Sequence, residues 1–316
     1  MVRQDRLGDA INAVPVLKAL RKAEPEAFIS FMVAQPLAEL FTGQPCLDEV
    51  ASWGRNFFCL IYFLRQGSYD TVLMLQPSKL LAWAAFFAGV KQKAGLGFRP
   101  YYVLTGFKPA HIPQNDKDVH ETEYNLSVAR QLWDLPEEIH LPQIFLSEQE
   151  MSDAQNILLS MNVHNPIAVL PANRGSSANW TPERYRELVK KLAEAKREVL
   201  ILGGPGEEDI LNQVKGATKI PIAGPELTLR RLAAILANCR QVVGSSTGTL
   251  HLAAAAGAKT VGLFCPAQAS SPKRWRPLGE GHVQLVPEEE YCRSCRPHAK
   301  CDLGGITIER VLQNIK

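Results

Sequence analysis

Apolar residues recur along the chain with two periods that alternate. In GDAINAVPVLKALRKAEP (8–25) they fall three and four residues apart, which places them on one side of a helix. AFISFMVA (27–34) follows as a short continuous apolar run and predicts a buried strand. DEVASW (48–53) and TVLMLQ (71–76) predict two further strands, with helical patterns near 56–66 and 79–89. Only MVRQ precedes the first glycine turn, DRLGD, so the opening strand is either very short or lacks its beginning.

Residues 134–150 are rich in Pro and acidic side chains and predict a connection. SEQEMSDAQNILLSM (147–161) then predicts a helix, with Ser147 and Glu150 in capping-box spacing. Beyond it the alternation is clearer. PIAVLPA (166–172), EVLILGG (198–204), KIPIAG (219–224), QVVGSS (241–246) and KTVGLFCP (259–266) read as strands; 181–195, 207–217, 227–239 and 247–257 read as helices. Strands alternating with helices predict parallel sheets covered on both faces. The expected fold class is therefore α/β, two facing Rossmann-like domains at 1–150 and 151–316. Ligands are expected beyond the carboxyl ends of the strands, in a cleft between the domains.

Composition narrows the class. A chain of 316 residues, 46% hydrophobic and 21% charged, suits two globular cores. The longest apolar run, LLAWAAFFAGV (80–90), is too short to span a bilayer and reads as a buried helix. No basic start with an apolar segment and cleavage site opens the chain, and four of the seven cysteines are scattered (46, 59, 239, 265), so a cytoplasmic location is expected. Residues 1–150 carry 14 Lys+Arg against 17 Asp+Glu, a net −3, and residues 151–316 carry 21 against 15, a net +6. That asymmetry suits a small anionic ligand on the second half and is too mild for nucleic acid. The tail, CRSCRPHAKC, sets Cys292, Cys295, Cys301 and His298 close together, but C-x-x-C without a second pair favours structural thiols or an adventitious disulfide over a metal. No cofactor is expected.

Three loops at strand ends carry candidate chemistry. In VGSSTGTLHLAAAAG (243–257), Ser246, Thr247 and Gly248 lead from a strand into a helix whose first N–H groups are unsatisfied and partly positive. Gly248 admits a close ligand, Thr247 caps the helix or bonds a phosphate oxygen, and His251 lies about one turn on. The alternative is a Thr-capped core helix with a satisfied His. A dinucleotide fold is disfavoured because no G-x-G-x-x-G follows any predicted strand. PANRGSSANWTPERY (171–185) offers Arg174, Ser176 and Ser177 to an anion, with Thr181 expected to cap the next helix and Pro182 to start it. LGGPGEED (202–209) places Glu207 and Glu208 where carboxylates bond sugar hydroxyls or complement a helix dipole. In the first half, RQDRLGD (3–9) gathers two Asp and two Arg around Gly8. Asp9, at a helix start, is expected to be held as the anion and to be a modest base unless desolvated.

Taken together, RQDRLGDAINAVPVLKALR (3–21), HETEYNLSVARQL (120–132), PANRGSSANWTPERYREL (171–188), GSSTGTLHLAAAAGAKTVGLFCP (244–266) and the cysteine tail resemble glycosyltransferase family 9, the lipopolysaccharide heptosyltransferases. The resemblance covers nearly the whole chain. It implies a GT-B architecture with the nucleotide sugar on the second domain and the acceptor on the first. It also implies an inverting, metal-independent transfer of heptose from its ADP-activated form to the lipopolysaccharide core, with peripheral contact at the inner membrane. The family's catalytic Asp falls on Asp9, its Thr-Gly on Thr247 and Gly248, and its His on His251. Arg174, Ser176, Ser177, Glu207 and Ser246 are expected on the donor side, and Arg6 and Asp5 on the acceptor side. Two positions depart from the family pattern: Ser246 stands where an Asp is usual, and Ala178 where a basic residue is frequent. A hydrogen bond to a charged group contributes about 1.5–3 kcal/mol, and Arg174, Lys273 or Arg274 could substitute. Two other functions stay open on the sequence: sugar-nucleotide epimerisation, and nucleotide or glycan binding without transfer.

Overall fold

A computed structural model describes residues 1–52, 56–111, 119–267, 270–293 and 301–316. The chain divides into two compact units, Met1–Pro142 and Gln143–Lys316. The first holds a parallel sheet of β1 (Val2–Arg3), β2 (Ser30–Val33), β3 (Glu49–Ser52), β4 (Thr71–Met74), β5 (Gln92–Leu96) and β6 (Lys108–Ala110), in the order β3-β2-β1-β4-β5-β6. The second holds β7 (Ile167–Leu170), β8 (Val199–Leu202), β9 (Ile222–Ala223), β10 (Gln241–Ser245), β11 (Thr260–Leu263) and β12 (Val283–Leu285), in the order β12-β11-β10-β7-β8-β9. Counted within each unit, both orders are 3-2-1-4-5-6, the doubly wound Rossmann arrangement. The strand order reverses between β1 and β4 in one unit and between β7 and β10 in the other. Loops leaving the carboxyl ends of those four strands therefore diverge, and the gap they leave is where such sheets take ligands.

The opening strand is two residues long, yet it lies at the middle of its sheet, with Val2 paired to Met32 of β2 and Met74 of β4. The helix expected over 8–25 is two helices, Leu7–Ile11 and Val14–Ala23. Asn12 ends the first by turning its side-chain amide onto the Gly8 carbonyl (2.9 Å), and Pro15 sits in the first turn of the second. Strands β5, β6 and β12 carry too few consecutive apolar residues to stand out in the sequence. The 80–90 run is not a buried helix. It forms Lys79–Phe87, which buries Leu81, Ala82, Ala84 and Ala85 and leaves Phe86 and Phe87 exposed.

In the second unit the capping box forms as expected. Ser147 Oγ accepts from the Glu150 N–H (3.2 Å), and Glu150 Oε2 accepts from the Ser147 N–H (2.8 Å). Thr181 does occupy the N-cap of helix Pro182–Glu194, but its side chain makes no capping bond. Where β8 and β9 end, Gly224 has φ +124°, and a Cβ there would lie 1.9 Å from the Gly203 carbonyl oxygen, so only glycine fits.

Candidate active site

In the first unit the site grows from Arg3. Strand β1 places it at the sheet centre, where its side chain is almost fully buried. A buried guanidinium demands partners for its donors. Nε donates to Asp5 Oδ1 (2.8 Å), Nη2 to Asp9 Oδ1 (2.6 Å) and Glu121 Oε1 (2.9 Å), and Nη1 to Asn125 Oδ1 (2.8 Å) and the Leu75 carbonyl (3.3 Å). Leu75 follows β4, and Glu121 and Asn125 lie on helix Glu121–Ala129. One cation thus ties both strands of the switch point and two helices together. Asn125 also donates to the Asn12 carbonyl (3.1 Å), fixing the break after helix Leu7–Ile11.

The three carboxylates differ in access. The Glu121 side chain is 2% exposed, whereas Asp9 keeps 16% and Asp5 20%. Asp9 is the third residue of its helix, not a cap; Arg6, exposed, is the N-cap. Burial raises the Asp9 pKa, Arg3 opposes this, and Glu121 adds to the rise; the net shift is upward. Asp5 is raised for the same first reason. The helix start does not hold Asp9 below the ordinary aspartate range, because desolvation outweighs it. Asp9 is consequently a stronger base than an exposed aspartate. Arg3 is itself pushed up: burial works against its charge, and Asp5, Asp9 and Glu121 together outweigh that.

In the second unit the loops after β7, β8 and β10 converge. Asn173 organises the first of them. Its amide donates to the Ser177 carbonyl (2.7 Å), the Ser177 hydroxyl (3.2 Å) and Ser245 Oγ at the end of β10 (3.3 Å), while its Oδ1 accepts from the Gly175 N–H (3.0 Å). Those bonds hold Arg174 (φ 49°) and Gly175 (φ 69°) in the left-handed region, a conformation that costs energy at the non-glycine position. Arg174 remains largely exposed and reaches the loop after β8, where it donates to the Pro205 carbonyl and lies 3.4 Å from Glu207. Glu207 Oε2 accepts from the Gly204 N–H (2.7 Å), so this carboxylate is engaged within its own loop. Ser176, exposed, and Ser177, half-buried, complete the turn.

Thr247 caps helix Gly248–Ala255, its hydroxyl accepting from the Leu250 N–H (3.2 Å). Ser246 is half-buried, with its N–H on the Leu263 carbonyl (3.1 Å). His251 is buried and meets Trp275 edge-on, ring centroids 6.1 Å apart. Trp275 in turn carries the Arg274 guanidinium 5.1 Å from its ring centroid. His251 therefore links the helix start to an arginine that the motif alone did not place there. Ala178 is buried in the core of this unit beside Trp180, whose indole N–H is shared between the Leu303 and Ile306 carbonyls (3.2 Å each).

Arg3, Glu121, Asn125 and Asn173 were not among the expected site residues. Arg3 stands in the RQDRLGD run, and Glu121 and Asn125 in HETEYN, but nothing in the spacing joins two segments more than a hundred residues apart. Among the described residues no group of three His, Cys, Asp or Glu is arranged to hold a metal ion. Cys295 and His298 of the tail lie outside the described residues; Cys292 is half-buried and Cys301 buried.

Two doubly wound parallel sheets, with polar loops at the switch point of each, define a protein of the GT-B class. The profile of glycosyltransferase family 9 (heptosyltransferase) matches residues 58–305, and the chain belongs to that family. It is a glycosyltransferase. Lipopolysaccharide heptosyltransferase 2 of Escherichia coli is 25% identical over 301 residues, covering 86% of this chain and 83% of that protein. Among solved structures, a family 9 glycosyltransferase from Veillonella parvula superposes with a TM-score of 0.85 at 20% identity, covering 99% of this chain and 94% of the other. The E. coli ADP-heptose lipopolysaccharide heptosyltransferase II follows with a TM-score of 0.82 at 21% identity, covering 99% and 96%.

Proposed function

We propose that this enzyme transfers a heptose from ADP-heptose to the core of lipopolysaccharide, with inversion at the anomeric carbon and without a metal ion, on the cytoplasmic side of the inner membrane. The donor and acceptor named for the E. coli relatives support the substrate class. The observation that carries the chemistry is Asp9, a partly exposed carboxylate whose basicity burial has raised, fixed by Arg3 at a switch point.

On this reading Asp9 takes the proton from an acceptor hydroxyl as its oxygen bonds to the anomeric carbon. The bond from that carbon to the phosphate oxygen breaks on the opposite side, and ADP leaves with the electron pair. General-base assistance of this kind contributes about 10²–10⁴-fold. The leaving diphosphate needs positive charge. The helix start at Thr247–Gly248, the Arg174–Ser177 turn and Arg274 supply it from preorganised groups, the role a divalent ion has in other transferases. The second unit is accordingly the donor side, with His251 positioning Arg274 through Trp275, and the first unit is the acceptor side, with Asp5 and Arg6 beside the base.

The test is transfer at saturating donor for the wild type and Asp9→Asn, in buffer containing EDTA, with ADP affinity measured by calorimetry. We expect wild-type turnover to persist in EDTA. The variant is expected to lose about 10²–10⁴-fold in kcat and keep its ADP affinity. Substantial turnover retained by Asp9→Asn would move the base elsewhere, with Asp5, the most exposed of the three carboxylates on Arg3, the next candidate. Activity abolished by EDTA and restored by Mg²⁺ would contradict metal independence.

A further inference from the structure

Helices Phe57–Gln66, Lys79–Phe87 and Pro100–Thr105 pack side by side on one face of the first unit's sheet. Their inner sides supply Leu60, Leu64, Leu81, Ala85 and Tyr102 to the core. Surface helices of this kind normally turn charged residues outward. Here the outward residues include Phe58, 78% exposed, and Tyr62, 66% exposed, one turn apart on the first helix; Phe86 and Phe87 end the second; Val103, 73% exposed, and Leu104 stand on the third.

The aromatic part is continuous. Phe57 touches Phe58 (centroids 5.6 Å apart) and crosses to Phe87 on the neighbouring helix (6.1 Å), and Phe87 stacks on Trp83 (6.0 Å). Scattered exposed apolar residues are ordinary, but a joined patch over adjacent helices marks a contact surface.

Charge identifies what it contacts. None of the three helices contains an Asp or Glu. From residue 50 to residue 115 the chain carries seven Lys and Arg and a single acid, Asp70, a net +6 within a half whose total is −3. Lys79 begins the second helix and is exposed, as are Lys91 and Arg99 in the segments that lead to the third, and Arg65 donates to the Phe87 carbonyl at the edge of the patch (2.7 Å).

We propose that this face docks the enzyme on the surface of an anionic lipid bilayer. Aromatic rings partition to the headgroup level, and the cations beside them are drawn to anionic headgroups. Among the described residues no helix is long and apolar enough to cross a membrane, so the contact is a resting one. A second copy of the chain fits the face less well, because a two-fold contact would set the basic rim against itself. The proposal deepens the lipopolysaccharide reading, since a lipid-anchored acceptor would then lie in the surface the enzyme rests on; its own ground is the composition of the face.

The test is co-sedimentation of the full chain with phosphatidylcholine vesicles, with and without phosphatidylglycerol. The Phe58→Ser/Tyr62→Ser double variant is expected to bind the anionic vesicles at least about tenfold more weakly than wild type. Lys79→Glu/Lys91→Glu should lose about as much on anionic vesicles and nothing on neutral ones. If the first pair lowers the melting temperature, Val103→Ser/Leu104→Ser on a separate helix replaces it. Absence of wild-type binding to anionic vesicles, or unchanged binding by the aromatic variant, overturns the proposal. So does a solution dimer that the aromatic variant dissolves, which would assign the face to a second copy. Transfer from ADP-heptose to a delipidated core oligosaccharide is read alongside. It should be unchanged in the aromatic variant, and its failure in the wild type would overturn the substrate reading while leaving the vesicle result intact.

Discussion

Arg3 sets the electrostatic surroundings of Asp9. Its charge lowers the Asp9 pKa, while burial and Glu121 raise it, so the carboxylate sits between opposing influences. A base works when ionised, so with Asp9 as the proposed base turnover should rise with pH through the pKa of the group. Because the Asp9 pKa lies above the ordinary aspartate value of about 3.9, the acid limb of kcat should lie above it too. Replacing Arg3 by Gln removes the influence that lowers the pKa, and the limb should move to still higher pH. The same change leaves buried carboxylates uncompensated and should cost about 3–5 kcal/mol in urea unfolding. A stability loss with an unmoved limb would reduce Arg3 to a structural residue. The RQDRLGD loop was legible in the sequence because its charges are crowded. The cluster was not, because Glu121 and Asn125 reach Arg3 from 118 and 122 residues away.

Helices and strands were legible wherever one period dominates a segment. The capping box at Ser147 and the strand-turn-helix at Thr247 formed as read, since each rests on bonds within four residues. The break at Asn12 and the strand β5 depend on side-chain competition and sheet position, which periodicity does not encode. Two elements give measurable consequences. Thr247→Ala should remove the cap of helix Gly248–Ala255 and cost about 1 kcal/mol, with weaker ADP binding; Thr247→Ser should restore both, as followed by thermal unfolding and calorimetry. Helix Glu148–Ser160 is fastened to helix Leu229–Ala237 by Glu150 and Arg230, with Arg230 Nη2 2.7 Å from Glu150 Oε2. The Arg230 bond pulls the Glu150 pKa down to about 2, aided by the Ser147 N–H. A carboxylate with a depressed folded pKa stabilises above its unfolded value, about 4.5, and loses that contribution as pH falls toward 2. After screening by solvent at this partly exposed pair, about 1 kcal/mol remains. Arg230→Ala should therefore be less stable at pH 7 and nearly equal to wild type near pH 2, in denaturant melts at both pH values.

At the scale of the whole chain, two sheets of identical strand order carry unlike equipment: carboxylates around a buried arginine in one, hydroxyls, helix start and exposed cation in the other. Nucleotide should consequently stabilise the enzyme through the second unit. At 100 times its Kd a ligand of the folded state contributes about 2.7 kcal/mol, worth roughly 4 °C in the melting temperature for a chain of this length. ADP and ADP-heptose should give this shift, and a shift with UDP- or GDP-sugars alone would reassign the donor without changing the class. The two-residue strand β1 has a consequence in time. Glu121 and Asn125 leave the ribosome more than a hundred residues after Asp9, roughly 6–20 s later at ordinary rates of synthesis. Until they arrive, Arg3 has neither partner and Asp9 faces water as an ordinary acid. On the proposed role of Asp9, the nascent chain carries its base unarmed until the first unit has been completed around it.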